Sequence, residues 1–267
     1  MRHIVILGNG IAGITAAREL RKLGDDRITV ISAETDHFFS RTALMYIYMG
    51  HLEYHHTKPY EDWFWAKNRI ELLRAQVNRI DFGQKTLYVD GNQSPDALGI
   101  TSLTYDILIL AVGSKPNFPN WPGQHLGGVQ GLYSKPDLDR MEADTKGIQR
   151  AVVVGGGLIG IELCEMLLAR NIHVTFLVRE KSFWSSVLPT EESTLVTRHI
   201  REHHVDLRTE TELAEICDDS TGHVKAVVTK TGEEIPTQFV GVSVGVSPNI
   251  AFLKETSLET DRGVLVN

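Results

Sequence analysis

Two glycine sets, Gly8-Asn9-Gly10-Ile11-Ala12-Gly13 and Gly155-Gly156-Gly157-Leu158-Ile159-Gly160, share the spacing GxGxxG. Such a set can bind a pyrophosphate. The first glycine permits a tight turn, the second lets the backbone approach the phosphates, and the third lets helix and strand pack closely. The helix that follows contributes free N–H groups and a partial positive charge, in the first set through Ile11 and Ala12 and in the second through Leu158 and Ile159. An acidic residue about 20 positions further on is needed for the ribose hydroxyls. Glu34 and Glu180 stand at that distance beyond Gly13 and Gly160. With 23 glycines in the chain, chance supplies roughly 0.2 such matches, so one alone would be weak. Ordinary glycine turns with surface carboxylates explain one set more readily than two in the same context.

That context is strand, turn, helix, strand. Ile4-Val5-Ile6-Leu7 is a short apolar run ending in glycine, as in a parallel strand buried on both faces. Ile11 to Leu23 reads as a helix closed by Gly24-Asp25, and Ile28 to Ile31 as a second strand. The pattern begins again after a Pro- and Gly-rich stretch from Lys115 to Pro136, read as a linker. Ala151 to Val154 is a strand, Leu158 to Arg170 a helix, and Val174 to Val178 a strand. Between the two units, Thr57 to Asn68 is predicted as a helix, Val77 to Ile80 and Thr86 to Val89 as antiparallel strands, and Ile107 to Gly113 as a buried strand. Further on come a helix from Thr190 to His204, strands near Val205 to Leu207 and Val224 to Val228, and an apolar run from Phe239 to Val246.

Composition narrows the class. The chain has 267 residues, a formal net charge of −7, 42% hydrophobic and 23% charged residues. These values fit a globular α/β protein of one or two domains and argue against disorder or a nucleic-acid binder. No stretch reaches the roughly 18 apolar residues of a membrane helix. The glycines at 8, 10 and 13 and the charged Arg18-Glu19 argue against a signal peptide at the start. Two cysteines, Cys164 and Cys217, cannot build a disulfide framework, so a cytoplasmic location is expected.

On these residues the sequence resembles the pyridine nucleotide–disulfide oxidoreductase superfamily, the flavoproteins with two dinucleotide-binding domains. The resemblance covers essentially the whole chain. It implies an α/β fold of two Rossmann-like domains, the second inserted in the first: an FAD-binding segment at 1–115, an NAD(P)-binding domain at 116–240 and a return to the FAD domain at 241–267. By resemblance the first fingerprint holds FAD and the second NADH or NADPH. Tyr105 to Gly113 is similar to the strand that leaves the first FAD segment, placing Ala111, Val112 and Gly113 beside FAD, with Val112 where Thr is usual. Phe39-Ser40-Arg41-Thr42-Ala43-Leu44 is similar to the loop along the flavin and its diphosphate, with Thr42 replacing the usual Pro. Val77 falls where a backbone contact to adenine is common. Val242 to Asn249 resembles the return to the FAD domain, with Val244 and Gly245 near NAD(P). Glu162 matches the family's acidic residue near nicotinamide and flavin.

Two departures matter. The disulfide branches carry a redox cysteine in the first helix or near Ala43, whereas no cysteine precedes Cys164. Cys164 itself reads as a small buried thiol. The resemblance therefore points to branches such as rubredoxin and ferredoxin reductases and nitrite reductase flavin domains, which pass electrons to a separate acceptor. Family members also continue past Gly263 to Asn267 into a segment that touches the flavin and an interface domain that often builds a dimer. Their absence from this sequence implies a truncated enzyme, or one whose remainder is a separate polypeptide; the expected associations are a homodimer or pairing with that missing C-terminal portion.

Other patterns read blandly. Asp81-Phe82-Gly83 is a turn, not a kinase motif. His55-His56 and His203-His204 are surface histidines whose side chains point apart, with no metal site completed. Asn92-Gln93-Ser94 is a glycosylation sequon without consequence in a cytoplasmic protein. Trp63, Phe64 and Trp65 read as core, with lining of a flavin pocket as the alternative. Arg179 suits a 2′-phosphate and Glu180 opposes one, so the nicotinamide cofactor stays NADH or NADPH. The leading expectation is an FAD-dependent oxidoreductase passing reducing equivalents from NAD(P)H through flavin to a separate acceptor, which includes a redox protein. The alternatives are a non-catalytic dinucleotide-binding or redox-sensing module and, on weaker grounds, a disulfide reductase.

Overall fold

A computed structural model of the protein describes residues 1–90, 99–254 and 256–266. The sequon at Asn92 and the terminal Asn267 lie outside the described residues. The chain forms two compact units. One comprises Met1–Ala43, Leu52–Lys115 and Ser247–Asn267, the other Leu44–His51 and Pro116–Val246. The second is thus inserted in the sequence of the first. Among the described residues no helix is long and apolar enough to cross a membrane.

The first unit is built on a four-stranded parallel sheet. Its order is Ile70–Arg74, Arg27–Ser32, His3–Leu7, Ile107–Leu110. Ile4 pairs with Ile28 on one side and Ile107 on the other. Side chains alternate along a strand, so His3–Leu7 serves two cores. Ile4 and Ile6 pack with Ile14 and Ala17 of the helix Ile11–Leu23. Val5 and Leu7 pack with Leu87 and Val89 of an antiparallel sheet formed by Gln76–Asp81, Thr86–Asp90 and Ser102–Thr104. Asp81 ends the first strand of that sheet, and Phe82 and Gly83 begin the turn of its first hairpin, which runs to Lys85. Ile107–Leu110, expected to be buried, is only partly so, because it forms the edge of its sheet.

The second unit repeats this plan. Its parallel sheet runs Asp206–Arg208, His173–Leu177, Arg150–Val154, Phe239–Val242, Val129–Gln130. Val152, Val154 and Val240 face an antiparallel sheet carrying Ile216, Val227 and Ile235. Leu163, Cys164 and Leu167 are buried on the helix Leu158–Ala169.

Several expectations are corrected. Thr57 to Asn68 is not one helix: a 3₁₀ turn covers Tyr54–Thr57 and a short helix Asp62–Lys67. Pro59 disfavours helical backbone at Lys58, which is extended. Trp65 is buried there, whereas Trp63 is 60% exposed and is not core. The stretch from Lys115 to Pro136 is more than a linker, since Val129 and Gln130 pair with Val240 and Gly241. The chain leaves the second unit at 246/247, beyond the expected 240/241, because Phe239–Val242 is an interior strand of that unit's sheet. Residues 44–51 also pack with the second unit. Tyr48 is 1% exposed, its hydroxyl lies 2.7 Å from Thr145 Oγ1, and the Arg170 guanidinium sits 3.6 Å over its ring.

Candidate functional sites

In the first unit the glycine turn follows directly from close approach. Gly8 has φ +115°, and a Cβ there would fall 2.1 Å from the carbonyl oxygen of Ala111. A Cβ on Gly13 would fall 1.9 Å from the carbonyl oxygen of Gly8. Gly8 N–H donates to Ile31 O at 2.8 Å, and Ala111 N–H to Leu7 O at 2.8 Å. The turn is therefore locked between neighbouring strands. At Gly10 the situation reverses: nothing lies within 4 Å of where a Cβ would be. Gly10 caps the helix N-terminus without a side chain, and Ile11 beside it is 71% exposed. The N–H groups of the first helical turn face that open space. It is a cradle that a side chain at position 10 would fill, as a pyrophosphate requires.

The second unit repeats the geometry. Gly155 has φ +118°, and its Cβ would lie 2.4 Å from Ser243 O. The Cβ of Gly160 would lie 2.1 Å from Gly155 O, while Gly157 again faces open space. Gly157 caps its helix without a side chain, and Leu158 is exposed. Ile159 is half-buried. Ser243, which sequence reasoning did not single out, fastens this turn: its one hydroxyl proton is shared between Val154 O at 2.9 Å and Gly155 O at 3.0 Å. A Ser after an apolar strand gives no sequence signal for that role.

The two expected ribose carboxylates both carry an arginine. Arg41 donates to Glu34 through Nη1–Oε1 at 3.0 Å and Nη2–Oε2 at 2.8 Å, and its guanidinium lies 5.5 Å from the Phe39 ring. Arg41 is thus brought to the acid expected to hold the ribose. Ser40 and Thr42 are exposed, their hydroxyls 3.1 Å apart. In the second unit Arg179 Nε donates to Glu180 Oε1 at 2.9 Å. The residues read as opposing one another are therefore partners. The Arg179 side chain is 77% exposed and that of Glu180 only 25%. Glu180 Oε2 lies 3.4 Å from the Cβ position of Gly156, so this carboxylate sits against the glycine turn.

The remaining expected residues divide. Gly113 has φ +65°, and its carbonyl accepts from Asn249 N–H at 3.0 Å. Val112 is half-buried and packs on the core beneath the sheet. The Val77 side chain is buried in that core, and its carbonyl accepts from the Gln76 side chain at 3.0 Å. Val244 packs on the second unit's core, and Gly245, φ +93°, accepts from Asn117 N–H through its carbonyl. Half-buried Glu162 has its carboxyl held above the ordinary glutamate range, first by burial and then by Glu165. Burial pushes the Cys164 thiol well above the usual range, which disfavours a reactive thiolate. His55 and His56 do not point apart: their rings are 3.9 Å from centre to centre. Even so, among the described residues no three His, Cys, Asp or Glu side chains gather into a metal-binding group.

Comparison with known proteins bears on both sites. The profile of a family described as pyridine nucleotide-disulphide oxidoreductase matches residues 2–267. The chain is 28% identical to the NAD(P)H nitrite reductase of Bacillus subtilis (strain 168) over 270 residues, covering 100% of this chain and 32% of the relative. It is 28% identical over 268 residues to a rubredoxin-NAD(+) reductase of Pseudomonas putida, covering 99% of this chain and 67% of that protein. The chain thus spans from a third to two thirds of the length of these relatives. A crystal structure of a ferredoxin reductase from Rhodopseudomonas palustris matches with a TM-score of 0.88 at 23% identity, over 100% of this chain and 64% of that one. At that identity the likeness carries the fold alone.

Proposed function

This chain belongs to the pyridine nucleotide-disulphide oxidoreductase family, and on that premise we propose that it acts as an FAD-dependent oxidoreductase. It takes reducing equivalents from NADH or NADPH and passes them through flavin to a separate acceptor. The observation that carries this reading is the repeated cradle: two glycine turns, each locked by its first and third glycine and open at its second.

In this reading the first unit holds FAD. The backbone of Gly8, Gly10, Ile11, Ala12 and Gly13 receives the pyrophosphate, Glu34 the ribose hydroxyls, and Arg41 the diphosphate charge once it is shared with Glu34. Ser40, Thr42, Val77 and Ala111 to Gly113 line the same path. The second unit holds NAD(P)H on Gly155, Gly157, Leu158, Ile159 and Gly160, with Glu180 at the ribose and Val244 and Gly245 alongside. Glu162 orients the nicotinamide. Bound flavin supplies the hydride-accepting ring and the onward electron transfer; the chain's own task is binding and orientation. The buried Cys164 and the absence of any earlier cysteine argue against a dithiol mechanism. The acceptor class is a redox protein, in keeping with the rubredoxin reductase relative, and the site of action is the cytoplasm, in keeping with two free cysteines.

Steady-state oxidation of NADH or NADPH by an artificial acceptor tests the reading. Turnover that depends on added FAD and saturates in both nucleotide and acceptor is expected. Tight binding of both nucleotides without turnover would instead make the chain a non-catalytic binding or sensing module. Turnover only with a dithiol or disulfide substrate would revive disulfide chemistry.

A further inference from the structure

Asn9 stands between Gly8 and Gly10 and has no role in the fingerprint as a sequence pattern. It is 8% exposed, and a buried amide needs partners. Both of its recorded bonds go to one residue: Nδ2 donates to the carbonyl of Thr35 at 2.9 Å and lies 3.3 Å from its hydroxyl oxygen. Thr35 is itself buried, and its hydroxyl donates to His37 O at 2.9 Å. On the other side of Glu34, the buried Ser32 hydroxyl accepts from Glu34 N–H at 3.2 Å. The backbone of Glu34 is thus held from both flanks, and one of those holds reaches across from the glycine turn.

The second unit serves as an internal control. Its residue at the same place is Gly156, and its turn forms with nearly the same first-glycine φ, +118° against +115°. An amide is therefore not needed to make such a turn. At Gly156 a side chain would have little room: a Cβ would lie 2.8 Å from Val178 Cγ1 and 3.4 Å from Glu180 Oε2. There the carboxylate rests against bare glycine, whereas in the first unit an amide spans the corresponding gap to Thr35.

We propose that Asn9 is a positioning residue for FAD, tying the glycine turn to the Glu34 loop so that the pyrophosphate cradle and the ribose carboxylate are held at one fixed spacing. This rests on the assignment of the first unit to FAD. Its effect on binding runs through Glu34, because the tie fixes where that carboxylate stands.

The test is a double-mutant cycle on the full chain, with FAD affinity read by flavin fluorescence and NADH affinity and apo thermal midpoint read in parallel. Asn9→Ala is expected to weaken FAD about three- to tenfold, the range of a lost neutral hydrogen bond, and to leave NADH affinity unchanged. In a Glu34→Gln background the same change is expected to have little further effect, since coupled residues do not add. Asn9→Gly, the residue used by the second turn, serves if Asn9→Ala does not fold. Unchanged FAD affinity in the Asn9 variant, or a loss of equal size in both backgrounds, overturns the proposal. Failure of the unaltered chain to bind FAD overturns the FAD assignment itself and this inference with it.

Discussion

Glycines of one motif differ in what they do, and mutation separates them. Gly8 is at φ +115° with a carbonyl 2.1 Å from its Cβ position, so Gly8→Ala is expected to cost about 3 kcal/mol or more of folding stability. At Gly10 a Cβ would have no neighbouring atom within 4 Å, which leaves room to begin the side chain of Gly10→Val. That substitution is expected to leave the urea midpoint nearly unchanged while abolishing FAD binding and sparing NADH. Equal loss of both nucleotides would contradict the assignment of the two sites. Glu180, shielded against the second turn and paired with exposed Arg179, is the ribose ligand under the proposed function. Glu180→Ala is expected to weaken NADH roughly tenfold or more, the range for a hydrogen bond to a charged group. Arg179→Ala should change NADH affinity little; titration of NADH against both variants decides. Burial also gives Glu162 a pH signature. Its folded pKa lies above its unfolded value, so the stability it contributes is present below the ordinary glutamate pKa and lost as pH rises through the folded value. Glu162→Gln is expected to flatten that part of the stability–pH curve, which chemical denaturation between acid and neutral pH measures.

Elements whose cause is local were legible in the sequence. The helix Ile11–Leu23 has the bounds read from its glycine, alanines and closing Gly24-Asp25, and the apolar runs at Ile4, Ile28, Ala151 and Val174 are all parallel strands. Elements whose cause is tertiary were not. Val129–Gln130 is a strand only because Val240 and Gly241 pair with it, and Ile70–Arg74 joins the first sheet only through Arg27–Ser32. Residues 44–51 contain nothing that announces their packing with the second unit, since that depends on Thr145 and Arg170 far along the chain. Asn9 and Ser243 escaped notice for the same reason: their bonds close across the fold. The helix Lys135–Asp144 is different, because Ser134 and Asp137 form a capping box that the sequence does spell. Ser134→Ala removes the acceptor for Asp137 N–H and is expected to destabilise the second unit by about 1 kcal/mol in urea titration.

Seen whole, the chain contains one structural plan twice, each time a parallel sheet with a glycine turn opening a helix on one side and an antiparallel sheet packed on the other. Duplicated cradles with separate carboxylates are what two different dinucleotides require, and a single-nucleotide enzyme would need only one. The net charge of −7 argues against a polyanion such as a nucleic acid as the partner. The most direct measurement is the visible spectrum of the FAD-loaded chain under anaerobic conditions before and after adding NADH or NADPH. Electron delivery from the second site to the first is expected to bleach the flavin band in proportion to the nucleotide added. A chain that binds FAD and the nicotinamide nucleotides and keeps its flavin band unchanged would contradict the assignment of an oxidoreductase.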